Sequence, residues 1–130
     1  MSVGILLLTH SGLGTALIAA AHGVVGSLPL RVQAVEFANG DDVDGYAHRA
    51  AKQMRELDTG AGVLLLTDLY GSTPSNVAAR LTTQGTTVRR VAGINLPMLL
   101  RVLNYADQSL PELALTAASG ARNGVIVDQA

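Results

Sequence analysis

A histidine and an aspartate close two stretches of the same form in this 130-residue chain. Gly4-Ile5-Leu6-Leu7-Leu8-Thr9 runs into His10, and Ser11-Gly12-Leu13-Gly14 follows at once. Gly62-Val63-Leu64-Leu65-Leu66-Thr67 runs into Asp68, and Leu69-Tyr70-Gly71-Ser72-Thr73-Pro74 follows. A neutral imidazole offers one bare nitrogen as a nucleophile when the N–H of the other is held. A carboxylate accepting that N–H fixes the tautomer and stabilises the cation formed on attack. Asp68 is the candidate for that carboxylate. Around the pair, the segment Gly71-Ser72-Thr73-Pro74-Ser75-Asn76 combines free backbone N–H groups, hydroxyls and the positive end of a helix, which suit an incoming anion. Ser11 and Gly12 open a second helix terminus beside His10. A nucleophilic histidine facing such termini is expected to receive a phosphoryl group, with His10 and Asp68 as the catalytic pair and Gly71, Ser72, Thr73, Ser11 and Gly12 around the phosphoryl oxygens.

These residues need a frame that brings positions 58 apart together. Short apolar runs bounded by turn residues fit strands buried on both faces of a parallel sheet. If both strands are central, His10 and Asp68 emerge at the carboxyl edge, where open α/β sheets hold their ligands. The strands are expected at Ser2–Thr9, Arg31–Phe37 (shorter, mixed in polarity, nearer an edge), Val63–Thr67 and Thr86–Ala92. A short last strand is expected at Gly124–Asp128.

Helices fall between them. Leu13, Ala16, Leu17, Ala20, Ala21 and Val24 recur at the helical period, and Gly26 and Pro29 end that helix. Asp41 or Asp42 caps a second helix with the apolar face Val43, Tyr46, Ala47, Ala50, Ala51, Met54 and Leu57. Thr73-Pro74 reads as a cap and a first-position proline. Asn95-Leu96-Pro97 opens a helix over Met98–Tyr105 in the same manner, and another spans Leu110–Ala121. The βαβαβαβα order gives a small doubly wound α/β sandwich, mainly parallel, with helices on both faces of the sheet.

Composition narrows the function. Hydrophobic residues make up 48 % and charged ones 15 %, which excludes disorder. Nine basic residues against ten acidic leave no footprint for nucleic acid or an anionic membrane. The absence of cysteine removes disulfides and thiolate chemistry. The apolar N-terminal run lacks a basic lead and stops at His10, so neither a signal peptide nor a membrane span is expected, and the location is cytoplasmic. His22 and His48 lie beside the apolar stripes of their helices and read as solvated. Three histidines without close spacing make no metal site, and no cofactor is called for. Arg89-Arg90 reads as a solvated strand-end pair.

Three motifs resemble one family. Gly4-Ile-Leu-Leu-Leu-Thr-His10-Ser-Gly12, Asp68-Leu-Tyr-Gly71-Ser-Thr73-Pro74-Ser-Asn76 and Ala92-Gly93-Ile-Asn95-Leu-Pro97-Met-Leu99 are similar to enzyme IIA components of the mannose class of the bacterial phosphoenolpyruvate-dependent sugar phosphotransferase system. The resemblance covers nearly the whole chain. It implies a phosphocarrier in which the residue matching His10 takes a phosphoryl group from phosphohistidine on HPr. It implies that Asp68 orients the imidazole and that the Thr73 hydroxyl and nearby amides hold the phosphoryl oxygens. Onward transfer to a IIB component, or regulatory use of the phosphorylated state, is implied too. So is a homodimer, with Gly124–Asp128 the segment to exchange between subunits. Ending at Ala130, the chain is expected to be one unfused IIA domain over 1–130.

One departure stands out: the family loop has a second glycine where this chain has Ser72, which would be strained if that position needs positive φ. Three rival readings stand beside the phosphocarrier. The first is a nucleotide-binding domain, because Gly12-Leu13-Gly14 approximates a glycine fingerprint and Glu36 lies near the end of the second strand, although Leu17 replaces the third glycine. The second is a purely regulatory phospho-switch module. The third is the phosphotransfer subunit of dihydroxyacetone kinases, against which Gly71–Pro74 and Asn95-Leu96-Pro97 speak. Sugar specificity is not encoded in a carrier that never touches the sugar.

Overall fold

The aliphatic runs form the two central strands, and each strand of the sheet is followed by a helix. The computed structural model describes residues 2–129. In order these are β1 (Gly4–His10), α1 (Leu13–Val25), β2 (Val32–Phe37), α2 (Val43–Leu57), β3 (Val63–Thr67), α3 (Thr73–Leu81), β4 (Val88–Ala92), α4 (Leu96–Asn104) and α5 (Leu110–Asn123). The sheet order is β2-β1-β3-β4 and every pairing is parallel. Helices cover both faces, as the sequence predicts. β2 lies at an edge, also as expected.

Alternation along a strand explains why β1 and β3 are apolar at successive positions. Ile5, Leu7, Leu64 and Leu66 face α1, α4 and α5 in one core, with Met98, Leu99, Leu113 and Ala117. Leu6, Leu8, Val63 and Leu65 face α2 and α3 in the other, with Tyr46, Met54, Val77 and Leu81. The leucines of both strands are fully buried. Burying each such side chain is worth about 1.5–3 kcal/mol. A strand so held is a rigid mount for whatever follows its last residue.

Several boundaries differ from expectation. β1, β2 and β4 begin at Gly4, Val32 and Val88 instead of Ser2, Arg31 and Thr86, and β1 runs one residue further, to His10. Asp42 is the residue that caps α2, its carboxylate accepting the Gly45 N–H at 2.9 Å, and Asp41 instead accepts the Ala38 N–H. The α2 face is buried as read from Tyr46 to Leu57, whereas Val43 is 41 % exposed. Asn95 caps α4 through the Met98 N–H at 2.8 Å, but the helix begins at Leu96. Arg89 and Arg90 sit within β4 and are exposed, because β4 is the other edge.

Two corrections are larger. The stripe assigned to α1 faces outward at Leu13, Ala16, Ala20 and Val24, and the buried side runs through Gly14, Leu17, Ile18 and Ala21. That helix carries no Asp, Glu, Lys or Arg, so its periodicity does not define a unique face. The segment Gly124–Asp128 forms no strand in the single chain. Val125, Ile126 and Val127 are 70, 73 and 87 % exposed, with no neighbouring strand to pair with.

Candidate functional site

The chain winds from β1 through α1 to β2 on one side, then returns through α2 to β3 on the other. The β1/β3 boundary is therefore the switch point of the sheet, where the helices after adjacent strands leave in opposite directions. His10 is the last residue of β1, and Asp68 is the first residue beyond β3. Alternation divides the end of β1 between the two faces. Thr9 points at α1 and accepts the Gly14 N–H at 2.9 Å. His10, the next residue, belongs to the α3 face.

The structure brings His10 and Asp68 together. His10 Nδ1 lies 2.7 Å from Asp68 Oδ2. The same oxygen accepts the backbone N–H of His10 at 3.0 Å, and Oδ1 accepts that of Leu69 at 3.0 Å. Burial pushes the Asp68 carboxyl up, but the hydrogen bonds from His10 backbone and ring, the His10 charge and its own loop amide outweigh it, and the net shift is downward. Asp68 is thus an ionised acceptor. An acceptor opposite Nδ1 puts the proton on that nitrogen and leaves Nε2 bare. The Asp68 side chain is 9 % exposed and that of His10 48 %, so the carboxylate is sheltered and the imidazole faces solvent.

The α3 terminus lies beside this pair. Gly71 has φ +85°, the left-handed conformation that favours glycine, although a β-carbon there would meet nothing within 4 Å. Ser72 has φ −78° and ψ 171°, ordinary extended backbone, so replacing the family glycine carries no strain. Ser72, not Thr73, is the N-cap, and its hydroxyl donates to Leu69 O at 2.6 Å without capping the helix. Its proton therefore holds the loop closed. Thr73 is the first helical residue, followed by Pro74, which has no N–H. Helix geometry leaves the Thr73 and Ser75 N–H groups without intrahelical partners. Among the described residues, the Thr73 hydroxyl makes no hydrogen bond within the protein.

The loop of Ser11 and Gly12 behaves differently. Ser11 N–H donates to Phe37 O at 3.0 Å. Gly12 N–H and Thr15 N–H donate to the two oxygens of Glu36 at 2.9 and 2.8 Å. The Thr15 and Gly12 amides hold the Glu36 carboxyl below its ordinary value against a smaller upward push from burial. In the sequence, Glu36 stands out only as part of a glycine fingerprint. Its partners are main-chain groups, so no side-chain motif announces them. The same contacts count against the nucleotide-binding reading, because two amides of the loop that would seat a phosphate already donate to the protein's own carboxylate. Gly14 serves packing instead: a β-carbon there would come 2.9 Å from Ala34 Cβ and 3.1 Å from Thr9 Oγ1.

His22 and His48 are exposed, with His22 Nδ1 3.0 Å from Gly26 O. A cavity of about 820 Å³ opens at the opposite edge of the sheet among Val3, Pro29, Arg89 and Leu110. At the His10 edge, Leu69 and Tyr70 are 62 and 80 % exposed, and Leu13 is 39 % exposed.

Comparison with known proteins decides the family. Residues 4–118 match the model of the mannose-class EIIA family, described as the PTS system fructose IIA component. The chain belongs to this family. It is a mannose-class IIA component of the phosphotransferase system. It is 31 % identical over 127 residues to the PTS system mannose-specific EIIAB component of Escherichia coli (strain K12), covering 96 % of this chain and 39 % of that protein. The chain thus spans about two fifths of that relative's length. The mannose/sorbose-specific IIA subunit from Enterococcus faecalis superposes with a TM-score of 0.89 at 25 % identity, over 100 % of this chain and 97 % of the other. The PTS IIA protein associated with the fucose utilization operon from Streptococcus pneumoniae gives 0.81 at 28 % identity, over 98 % and 96 %. No helix among the described residues is long and apolar enough to cross a membrane.

Proposed function

We propose that His10 is the residue that carries the phosphoryl group, accepting it on Nε2 from a phosphohistidine of an HPr-type protein. The observation that supports this most is the 2.7 Å contact between His10 Nδ1 and Asp68, which leaves Nε2 bare and outward. In the transfer, the donor's N–P bond breaks as the Nε2–P bond forms. The donor imidazole leaves with the electron pair, and the Nδ1 proton of His10 stays between the ring and Asp68. The cation developing on the ring is neutralised by a carboxylate already ionised and already in contact. The phosphoryl oxygens then lie toward the Thr73 hydroxyl and the Thr73, Ser75 and Gly71 amides, with Gly71 and Ser72 shaping the turn. Of Ser11 and Gly12, only the Ser11 hydroxyl has a donor to spare.

The partners in this reading are proteins. An exposed histidine, with exposed Leu13, Leu69 and Tyr70 in the segments that follow β1 and β3, suits docking of a second protein's side chain, which a deep pocket would exclude. Onward transfer goes to a IIB component, in the cytoplasm, from a homodimeric carrier acting as a phosphotransferase. The test is an intact-mass measurement with phosphoenolpyruvate, enzyme I and HPr. Wild type gains one acid-labile phosphoryl group and His10→Ala gains none. Labelling of His10→Ala at another residue overturns the assignment, and no gain by folded wild type overturns the carrier reading.

A further inference from the structure

We infer that Glu36 is a positioning residue for His10, holding the turn that leaves β1 and reserving the α1 terminus from anions. The inference rests on the phosphocarrier reading above. Glu36 sits on β2, at the register position beside Thr9, one residue short of the Phe37 that pairs with His10. From there each carboxylate oxygen takes one amide, Gly12 at 2.9 Å and Thr15 at 2.8 Å. Gly12 needs help at this place. Its φ is +89° and a β-carbon there would meet nothing within 4 Å, so glycine chain entropy would loosen the turn if nothing tied it.

The clamp is continuous with the nucleophile. Phe37, the neighbour of Glu36, accepts the Ser11 N–H, and Thr9 accepts the Gly14 N–H. The backbone on both sides of His10 is therefore pinned from β2 and α1, while Asp68 pins its ring from β3. Glu36 also puts a fixed negative charge at the end of α1, on the face of the sheet opposite the His10 side chain. A phosphoryl dianion on His10 finds its N–H donors at α3, because the Gly12, Gly14 and Thr15 amides at α1 are already engaged. Glu36 acts through the turn and touches neither donor nor phosphoryl group.

The experiment measures phosphorylation of His10 against HPr concentration for wild type, Glu36→Ala and Glu36→Gln. Backbone amide spectra of the same proteins are recorded with and without inorganic phosphate. In Glu36→Ala, kcat falls about tenfold at unchanged KM, because a nucleophile displaced by less than an ångström loses rate and not affinity. Glu36→Gln keeps one acceptor oxygen and recovers part of that loss. The Gly12 and Thr15 resonances move in both variants, and phosphate shifts them further in Glu36→Ala but not in wild type. Wild-type kcat in a variant whose Gly12 and Thr15 resonances have moved overturns the inference, as does a rise in KM alone. If Glu36→Ala loses its fold by circular dichroism, Glu36→Gln decides, and an unchanged kcat there counts against the role. Failure of wild type to be phosphorylated removes the carrier reading and this role with it, while the amide spectra still report whether the carboxylate holds the turn.

Discussion

At the start of α1, the amides of Gly12, Gly14 and Thr15 end on the protein's own oxygens, a carboxylate and a hydroxyl. At the start of α3, along the same sheet edge, Ser72 folds its hydroxyl back onto the loop and leaves the first helical turn open. Both termini carry the same partial positive charge. At α1 three amides have internal partners, and at α3 the first turn has none from a side-chain cap. A helix terminus is thus an anion site only where the sheet denies it an internal partner, and here the alternation of Thr9 and His10 decides which terminus that is. The His10 side chain goes to the face with the open one.

Substitutions at the two termini should separate these roles. The largest effect belongs to the pair itself: Asp68→Asn slows phosphoryl transfer by about a hundredfold with the fold intact, measured by quench-flow and circular dichroism. A rate within a few-fold of wild type would mean that the carboxylate does not set the tautomer. Next comes the closed terminus. Gly14→Ala forces a β-carbon against Ala34 and Thr9 and costs about 1–3 kcal/mol in denaturant unfolding, while His10 is still labelled. Unchanged stability with lost labelling would assign Gly14 to phosphate instead of packing.

At the open terminus, Thr73→Ala removes one donor and lowers the equilibrium share of phosphoryl group held against HPr by about tenfold, and Thr73→Ser restores it. Equal shares for all three would leave the backbone amides as the whole site. The smallest effect is the response to acid. Asp68 and Glu36 both titrate below their ordinary values when folded, so their stabilisation is complete above the ordinary values of 3.8 and 4.5 and is lost as pH falls through the lower folded values. Denaturant midpoints should therefore drop as pH falls from about 5 to about 3, across the ordinary carboxylate range. In a variant carrying both Asp68→Asn and Glu36→Gln, the drop should be shallower. An equal drop would place the acid-sensitive groups elsewhere.

What can be read from the chain follows the range over which each interaction acts. The strands β1 and β3 are legible because burial on both faces writes itself into successive residues, and the polar residue that ends each run marks the sheet edge. His10 and Asp68 are legible for that reason. The α2 face is legible because charged residues flank it. The α1 face is not, because an uncharged helix offers no contrast between its sides. Gly124–Asp128 has strand-forming residues, but a strand needs a neighbour, and neighbours are not local. The actual role of Glu36 is hidden for a related reason: its partners lie 24 and 21 positions away and are main-chain groups that every residue but proline possesses. Ser72 raises a question of strain that only a backbone angle can answer.

One oxygen of Asp68 holds both the backbone N–H and the ring of His10. The imidazole is thereby chelated to its own main chain through a group on another strand, and its torsional freedom is lost once, when the sheet forms. Each round of transfer then starts from an already ordered nucleophile and needs no lid or loop closure to align it. For the carrier proposed above, the slow event would then be the meeting of two proteins. Its turnover should track the concentration and charge of its partners more closely than any motion within the chain.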